Sequence, residues 1–154
     1  MTKCGTATAR AITAARLGRA AWFFGNAYEG AVGVPQLIAS ANRQPGVLTT
    51  GSPLRYFGPV APAAIGGTAV QLTLAWQRSA DRRAAAVATA TLGAAMGLSA
   101  YLIRTINLPL LSGEVDVEMR PRLISDWHKA NVVRLCLLAA TEIFIRRVEA
   151  SVSD

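Results

Sequence analysis

The chain predicts an all-α protein: a bundle of four transmembrane helices with both termini cytoplasmic, forming a single membrane domain over residues 1–154. Three observations lead there. Hydrophobic residues make up 52% of the chain and charged residues only 16%, where a soluble domain carries about a quarter charged. Four apolar stretches are each long enough to cross a hydrocarbon core, which takes about 20 helical residues. The basic residues gather at the ends of those stretches and alternate in weight from side to side.

The first expected span covers 20–41. Lys3, Arg10, Arg16 and Arg19 precede it as a basic tail, and Ala39-Ser40-Ala41 has the small-x-small form of a signal cleavage site. The length of the segment, and Asn26 and Glu29 within it, favour a retained helix over a cleaved leader. Segment 42–59 holds Pro45-Gly46, Gly51, Pro53 and Gly58-Pro59, which predicts a turn-rich, non-helical loop over the outer mouth of the bundle. The second span, 57–76, contains no charge. The third, 84–108, is free of charge from Ala84 to Ile103 and then meets Arg104. The fourth, 127–145, carries Arg134 and Glu142.

The orientation follows from loop charge. Lys3, Arg10, Arg16, Arg19, Arg78, Arg82, Arg83, Arg146 and Arg147 fall on one side of this arrangement, against Arg43, Arg55, Arg120, Arg122 and Lys129 on the other. The richer side is expected to be cytoplasmic. Trp22, Trp76, Trp127, Tyr56 and Phe57 lie near expected helix ends, as interfacial anchors do. Gly93-x-x-x-Gly97 and Ala63-x-x-x-Gly67 have the spacing that lets helices approach closely.

Several functions are disfavoured. A net charge of +7 could serve nucleic acid, but the basic residues form no face interleaved with aromatics. Cys4 and Cys136 make neither a disulfide framework nor a metal pattern, and a lone histidine excludes a multi-histidine metal site within one chain. No cofactor is called for. The expected partners are membrane lipid and a lipophilic small-molecule substrate, and a homo-oligomer is compatible with the sequence.

Ionisable groups at membrane depth are costly and mark functional sites. Trp22, Asn26, Glu29, Gly33 and Gln36 recur at i, i+4, i+7, i+11 and i+14, one narrow stripe of the first helix. Trp127, Asn131 and Arg134 repeat the pattern on the fourth, with His128 nearby. Glu142 can pair with Arg146 at i+4, whereas Arg134 has no acidic residue within a turn. Its expected partner is Glu29, on another helix. Arg104 and Asn107 lie in the outer half of the third helix. The candidate catalytic residues are therefore Glu29, His128, Arg104 and Arg134. Asn26, Tyr28, Asn107, Trp127 and Asn131 are the candidate substrate-binding residues, and Tyr101 is a further lining residue. The same groups also fit a purely structural polar seam between helices.

Arg104-Thr-Ile-Asn107-Leu-Pro109, an acidic loop, and then Trp127-His-Lys-Ala-Asn131-Val-Val-Arg134 resemble the signature of the anthrone oxygenase-like family of small four-helix membrane proteins. Phe24-Gly25-Asn-Ala-Tyr28-Glu29, followed by Val34-Pro35, is similar to that family's Gly-rich first helix ending in proline. The resemblance implies cofactor-independent oxygenation of a polyphenolic anthrone, as in polyketide pathways. Glu29 or His128 would be the base, and Arg104 and Arg134, with Asn107 and Asn131, would stabilise the enolate oxygen. Trp127 would contact the ring. Two other classes remain: a membrane cyclase or isomerase using the same base and oxyanion groups, and a non-catalytic membrane scaffold.

Overall fold

A computed structural model of the chain describes residues 3–40, 53–77, 81–113 and 115–153. The remainder of the expected first loop, residues 41–52, lies outside the described residues, as do Arg78, Glu114 and residue 41 of the Ala39-Ser40-Ala41 motif. Among the described residues the protein is helical, with no strand. The elements are α1 (Lys3–Val32), α2 (Val34–Ser40), α3 (Pro53–Gln77), α4 (Arg82–Leu102), a π-helical turn (Ile103–Asn107), α5 (Leu108–Ser112) and α6 (Arg120–Ser153).

The helices are longer than the expected spans. The basic tail is the first half of α1, and Arg146 and Arg147 lie inside α6, which also begins at Arg120. Tertiary contacts at both ends of the bundle account for this, since most helical stability comes from packing. Pro53 to Pro59, expected in the loop, already belongs to α3, whose interior prolines are Pro59 and Pro62.

Local chemistry sets the breaks. Gly33 has φ of 67°, a left-handed conformation that favours glycine, and it separates α1 from α2. Asp81 caps α4 by accepting a hydrogen bond from the Ala84 amide at 3.0 Å. Pro109 lacks an amide N–H, and its ring would meet the carbonyl four residues earlier in a regular helix. The chain widens instead into the π turn, in which the Leu108 amide donates to Ile103 O. Gly113, with φ of 74°, ends α5.

The bundle alternates in direction. Ala15 meets Gly67 and Gly18 meets Ala64, so α1 and α3 are antiparallel. Thr91 bonds Thr141 at 2.8 Å while Asp81 bonds Ser151 at 3.1 Å, so α4 and α6 are antiparallel too. Arg16, midway along α1, pairs with Glu149 near the end of α6, and Gln36 of α2 meets His128 near the start of α6, which sets α1 and α2 antiparallel to α6. The α1–α3 contact is close because a Cβ on Gly18 would lie 2.6 Å from the Ala64 nitrogen, and one on Gly67 the same distance from Ala15 Cβ. The Ala63/Gly67 expectation thus holds at Gly67. Gly93 and Gly97 differ: nothing lies within 4 Å of a Cβ at either, and they face outward from α4.

Three apolar layers stack along the bundle. One joins Leu72, Ala75, Ala84, Ala88, Ile145 and Val148. The next joins Trp22, Ala64, Leu92, Ala95 and Leu138. The third joins Leu102, Ile106, Leu110 and Trp127. Trp22 and Trp127 are therefore core residues; of the three tryptophans only Trp76 is exposed, as an interfacial anchor would be.

The helical rod Arg82–Ser112 is the one helix among the described residues long and apolar enough to cross a membrane, with a mean hydropathy of 1.6. Only 22% of its apolar window is buried within the protein. The other rods fall below the same measure: α1 carries Arg16, Arg19 and Glu29, and α6 carries Arg134, Glu142 and further arginines, while α3, the expected second span, is uncharged over 57–76 but diluted by its prolines, glycines, threonines and Gln71.

Candidate functional site

Between the second and third apolar layers lies a polar cluster drawn from α1 and α6. The stripe of α1 turns Trp22, Asn26 and Glu29 inward, and all three are buried. On α6, Trp127, Asn131 and Arg134 are buried at the matching level. Gly30 makes the approach feasible, because a Cβ there would lie 2.9 Å from Asn131 Nδ2.

Asn131 organises the cluster. Its Nδ2 donates to the Asn26 backbone carbonyl at 3.0 Å, tying α6 to α1. Its Oδ1 accepts from Arg134 Nη2 at 2.6 Å and from Nε at 3.2 Å. The Arg134 guanidinium also lies 5.9 Å from the Trp127 ring centroid, within cation–π range. Asn26 Nδ2 donates back to Trp22 O at 2.7 Å.

The expected Glu29–Arg134 pair is not closed. Arg134 is the cation whose field acts on Glu29, but no ion pair joins them within 4.0 Å, nor does a hydrogen bond reach the Glu29 carboxylate among the described residues. Two further atoms here are buried without a partner: Asn26 Oδ1, an acceptor, and Trp127 Nε1, a donor. Buried polar atoms of this kind ordinarily find partners, and exceptions call for an explanation.

The other candidates lie elsewhere. Arg104 is exposed on the outer side of the π turn, away from Arg134. It follows Leu102 by two residues, about 200° around the helix from that buried side chain. Tyr28 and Tyr101 are also exposed and line nothing in the cluster. Asn107 is half-buried at the end of the π turn, where it makes no side-chain cap. His128 is half-buried beside the cluster. Its Nε2 lies 2.6 Å from Gln36 Nε2, and its ring stands edge-on to Trp127 at 5.3 Å.

No family model, curated protein or solved structure matches this chain.

A second polar layer went unforeseen. Arg19 Nε pairs with Glu142 at 2.9 Å, and its Nη1 donates to Thr68 at 3.0 Å and Gln71 at 3.3 Å. Arg146 pairs with the other Glu142 oxygen at 3.1 Å, as the i+4 spacing predicted. Arg16 and Gln71 both bond Glu149, and that carboxylate raises the Arg16 pKa further above its ordinary value. Arg19 precedes Trp22 by three residues and Asn26 by seven, so it continues the same stripe. The signal lies in the spacing, which the expected basic tail before residue 20 cuts short.

Among the described residues, no group of three or more His, Cys, Asp or Glu side chains could hold a metal ion. What the α1–α6 cluster offers is a buried carboxylate without a hydrogen bond among the described residues, a guanidinium on the facing helix whose field reaches it, and one unused donor and acceptor.

Proposed function

We propose that this chain is a four-helix integral membrane protein whose α1–α6 cluster binds and deprotonates a lipophilic substrate. The membrane reading is supported by Arg82–Ser112, whose apolar window faces mainly outward, unlike the core helix of a soluble protein. Leu17, Phe24, Tyr28, Val132, Val133 and Ile143 also lie exposed on α1 and α6, an apolar exterior suited to acyl chains.

The observation that carries the chemistry is the unpartnered Glu29 carboxylate, buried in reach of the Arg134 field. A base needs an available lone pair, and Glu29 has one. His128 Nε2 is already engaged by Gln36, so Glu29 is assigned as the base. Arg134, braced by Asn131, would stabilise the oxygen on which charge develops. Arg104 has no part in this version.

The resemblance to anthrone oxygenase-like proteins supplies a reaction of this kind. Glu29 takes one benzylic proton, leaving a carbanion delocalised onto the carbonyl oxygen. The carbanion reduces dioxygen and forms a C–O bond, giving a hydroperoxide. Loss of the second hydrogen from that carbon, with cleavage of the O–O bond, releases water and leaves the quinone. One anthrone and one dioxygen thus give one anthraquinone and one water.

The test uses detergent-purified protein with anthrone as probe, following oxygen uptake and quinone absorbance. Glu29→Gln preserves size and polarity and should lower kcat by at least ~100-fold, the lower range for a general base. Turnover equal to wild type in Glu29→Gln overturns the assignment. Isomerised or cyclised product without oxygen uptake would favour the cyclase or isomerase alternative.

One observation favours a second reading, a scaffold with a structural seam. Asn131 satisfies both Arg134 and the Asn26 carbonyl, as a bracing residue would. Under that reading Glu29→Leu should be tolerated and no lipophilic ligand should bind.

A further inference from the structure

At the arginine-rich end of the bundle, a groove of about 840 Å³ runs between α1 and α6. It is graded in polarity. Arg16, Arg146 and Glu149 stand at its outer end, Arg19 and Glu142 come next, and Phe24, Phe23 and Leu138 line the deeper part. From Arg16 to Phe24 is about 12 Å along the helix. Leu17, Phe24 and Ile143 expose more than half of their surface there.

The charges in this groove do not balance. Three guanidiniums, those of Arg16, Arg19 and Arg146, face two carboxylates, those of Glu142 and Glu149. Glu142 is shared between Arg19 and Arg146, which leaves one positive charge over. Arg19 is more than nine-tenths buried and is held by Glu142, Thr68 and Gln71, so the accessible positive charge is that of Arg16 and Arg146, whose side chains are exposed.

We infer that this groove binds one anionic phospholipid, its phosphodiester at the Arg16–Arg19–Arg146 end and an acyl chain along Phe24, Leu138 and Ile143. A single negative charge would neutralise the surplus. The gradient from charged to apolar over about 12 Å matches a lipid entering from the nearer leaflet. By the loop charges this end faces the cytoplasm, where anionic lipids concentrate. The inference rests on the membrane reading above but not on the chemistry assigned to Glu29.

The test has two stages. Phase partitioning in a clouding detergent comes first; recovery in the aqueous phase overturns the membrane reading and the lipid site with it. Protein recovered in the detergent phase is then titrated with phosphatidylglycerol, phosphatidylcholine or inorganic phosphate and followed by native mass spectrometry. One phosphatidylglycerol should be retained per chain, at least ~5-fold more tightly than phosphatidylcholine, as expected for about one arginine's contribution. Arg16→Gln and Arg146→Gln, both at exposed positions, should each weaken retention by a similar factor. Phe24→Ala should weaken it without altering unfolding. Equal retention of the two lipids overturns the site alone. Displacement of the lipid by millimolar inorganic phosphate would mark a free-anion site instead, and a lipid-free dimer disrupted by Arg16→Gln would mark a second copy in the groove; either overturns the lipid.

Discussion

The Arg134 guanidinium is held inside the bundle by Asn131, which accepts from two of its nitrogens, and by the Trp127 ring 5.9 Å away. Removing that acceptor should be costly. Asn131→Ala is expected to destabilise the protein by about 1.5–3 kcal/mol, the range for hydrogen bonds to charged groups. Arg104→Ala, at an exposed position, should change stability by no more than about 0.5 kcal/mol. Unfolding of the two variants by titrated denaturing detergent compares them directly; equal losses would contradict the placement of the two arginines. The contrast was partly legible. Asn131 and Arg134 share a turn of α6, so their meeting follows from spacing. The placement of Arg104 was not legible from its charge, since its exposure follows from the phase of its helix. Ala84, Ala88, Leu92, Ala95 and Leu102 mark the buried face of α4, and Arg104 lies opposite. Those alanines carry little hydropathy contrast, so the face was faint.

At the scale of elements, close approach between α1 and α3 depends on absent side chains. Gly18→Ala would drive a Cβ to 2.6 Å from the α3 backbone, and overpacking of this kind costs about 1–3 kcal/mol. Gly93→Ala meets nothing within 4 Å and should stabilise α4 by about 0.5–1 kcal/mol, the helix preference of alanine over glycine. Thermal unfolding in detergent should therefore move in opposite directions for the two variants. The positions of four long helical segments were readable because apolar runs separate from Pro- and Gly-rich or acidic stretches. Their ends were not, since Arg10 to Arg19 look like a solvated tail until Glu142 and Glu149 come into view on a helix more than 100 residues away.

For the whole molecule, the decisive question is what surrounds the outward apolar faces. Cys136 is exposed on α6, two residues beyond Arg134. In a Cys4→Ser background its thiol should resist a charged, membrane-impermeant maleimide in intact vesicles and react once detergent dissolves them. Ready labelling in sealed vesicles from both sides would show that water, not lipid, bathes this part of α6. Composition foretold the helical class, because a chain with so few charges and such long apolar runs has little other way to satisfy its backbone. The packing of α1 against α6 was foretold only in part. Trp22, Asn26 and Glu29 stand out as polar or amphipathic residues at helical spacing, whereas the closeness of Glu29 to Arg134 without contact depends on side-chain placement that periodicity does not carry.

The widened turn before Pro109 holds one residue more than an ordinary helix needs. Leu102, Ile106 and Leu110 all face the core at intervals of four, a rhythm slower than the 3.6 of a regular coil. Deleting the exposed Thr105 shortens the first interval to three, and three followed by four is the natural cadence of an α-helix. With Pro109→Ala to restore the missing donor, such a shortened chain should keep all three side chains in place, whereas deleting Ala90 would swing everything beyond it through about 100°. The bulge is thus a spare link, the place along this rod where evolution or an engineer can change its length without turning its face.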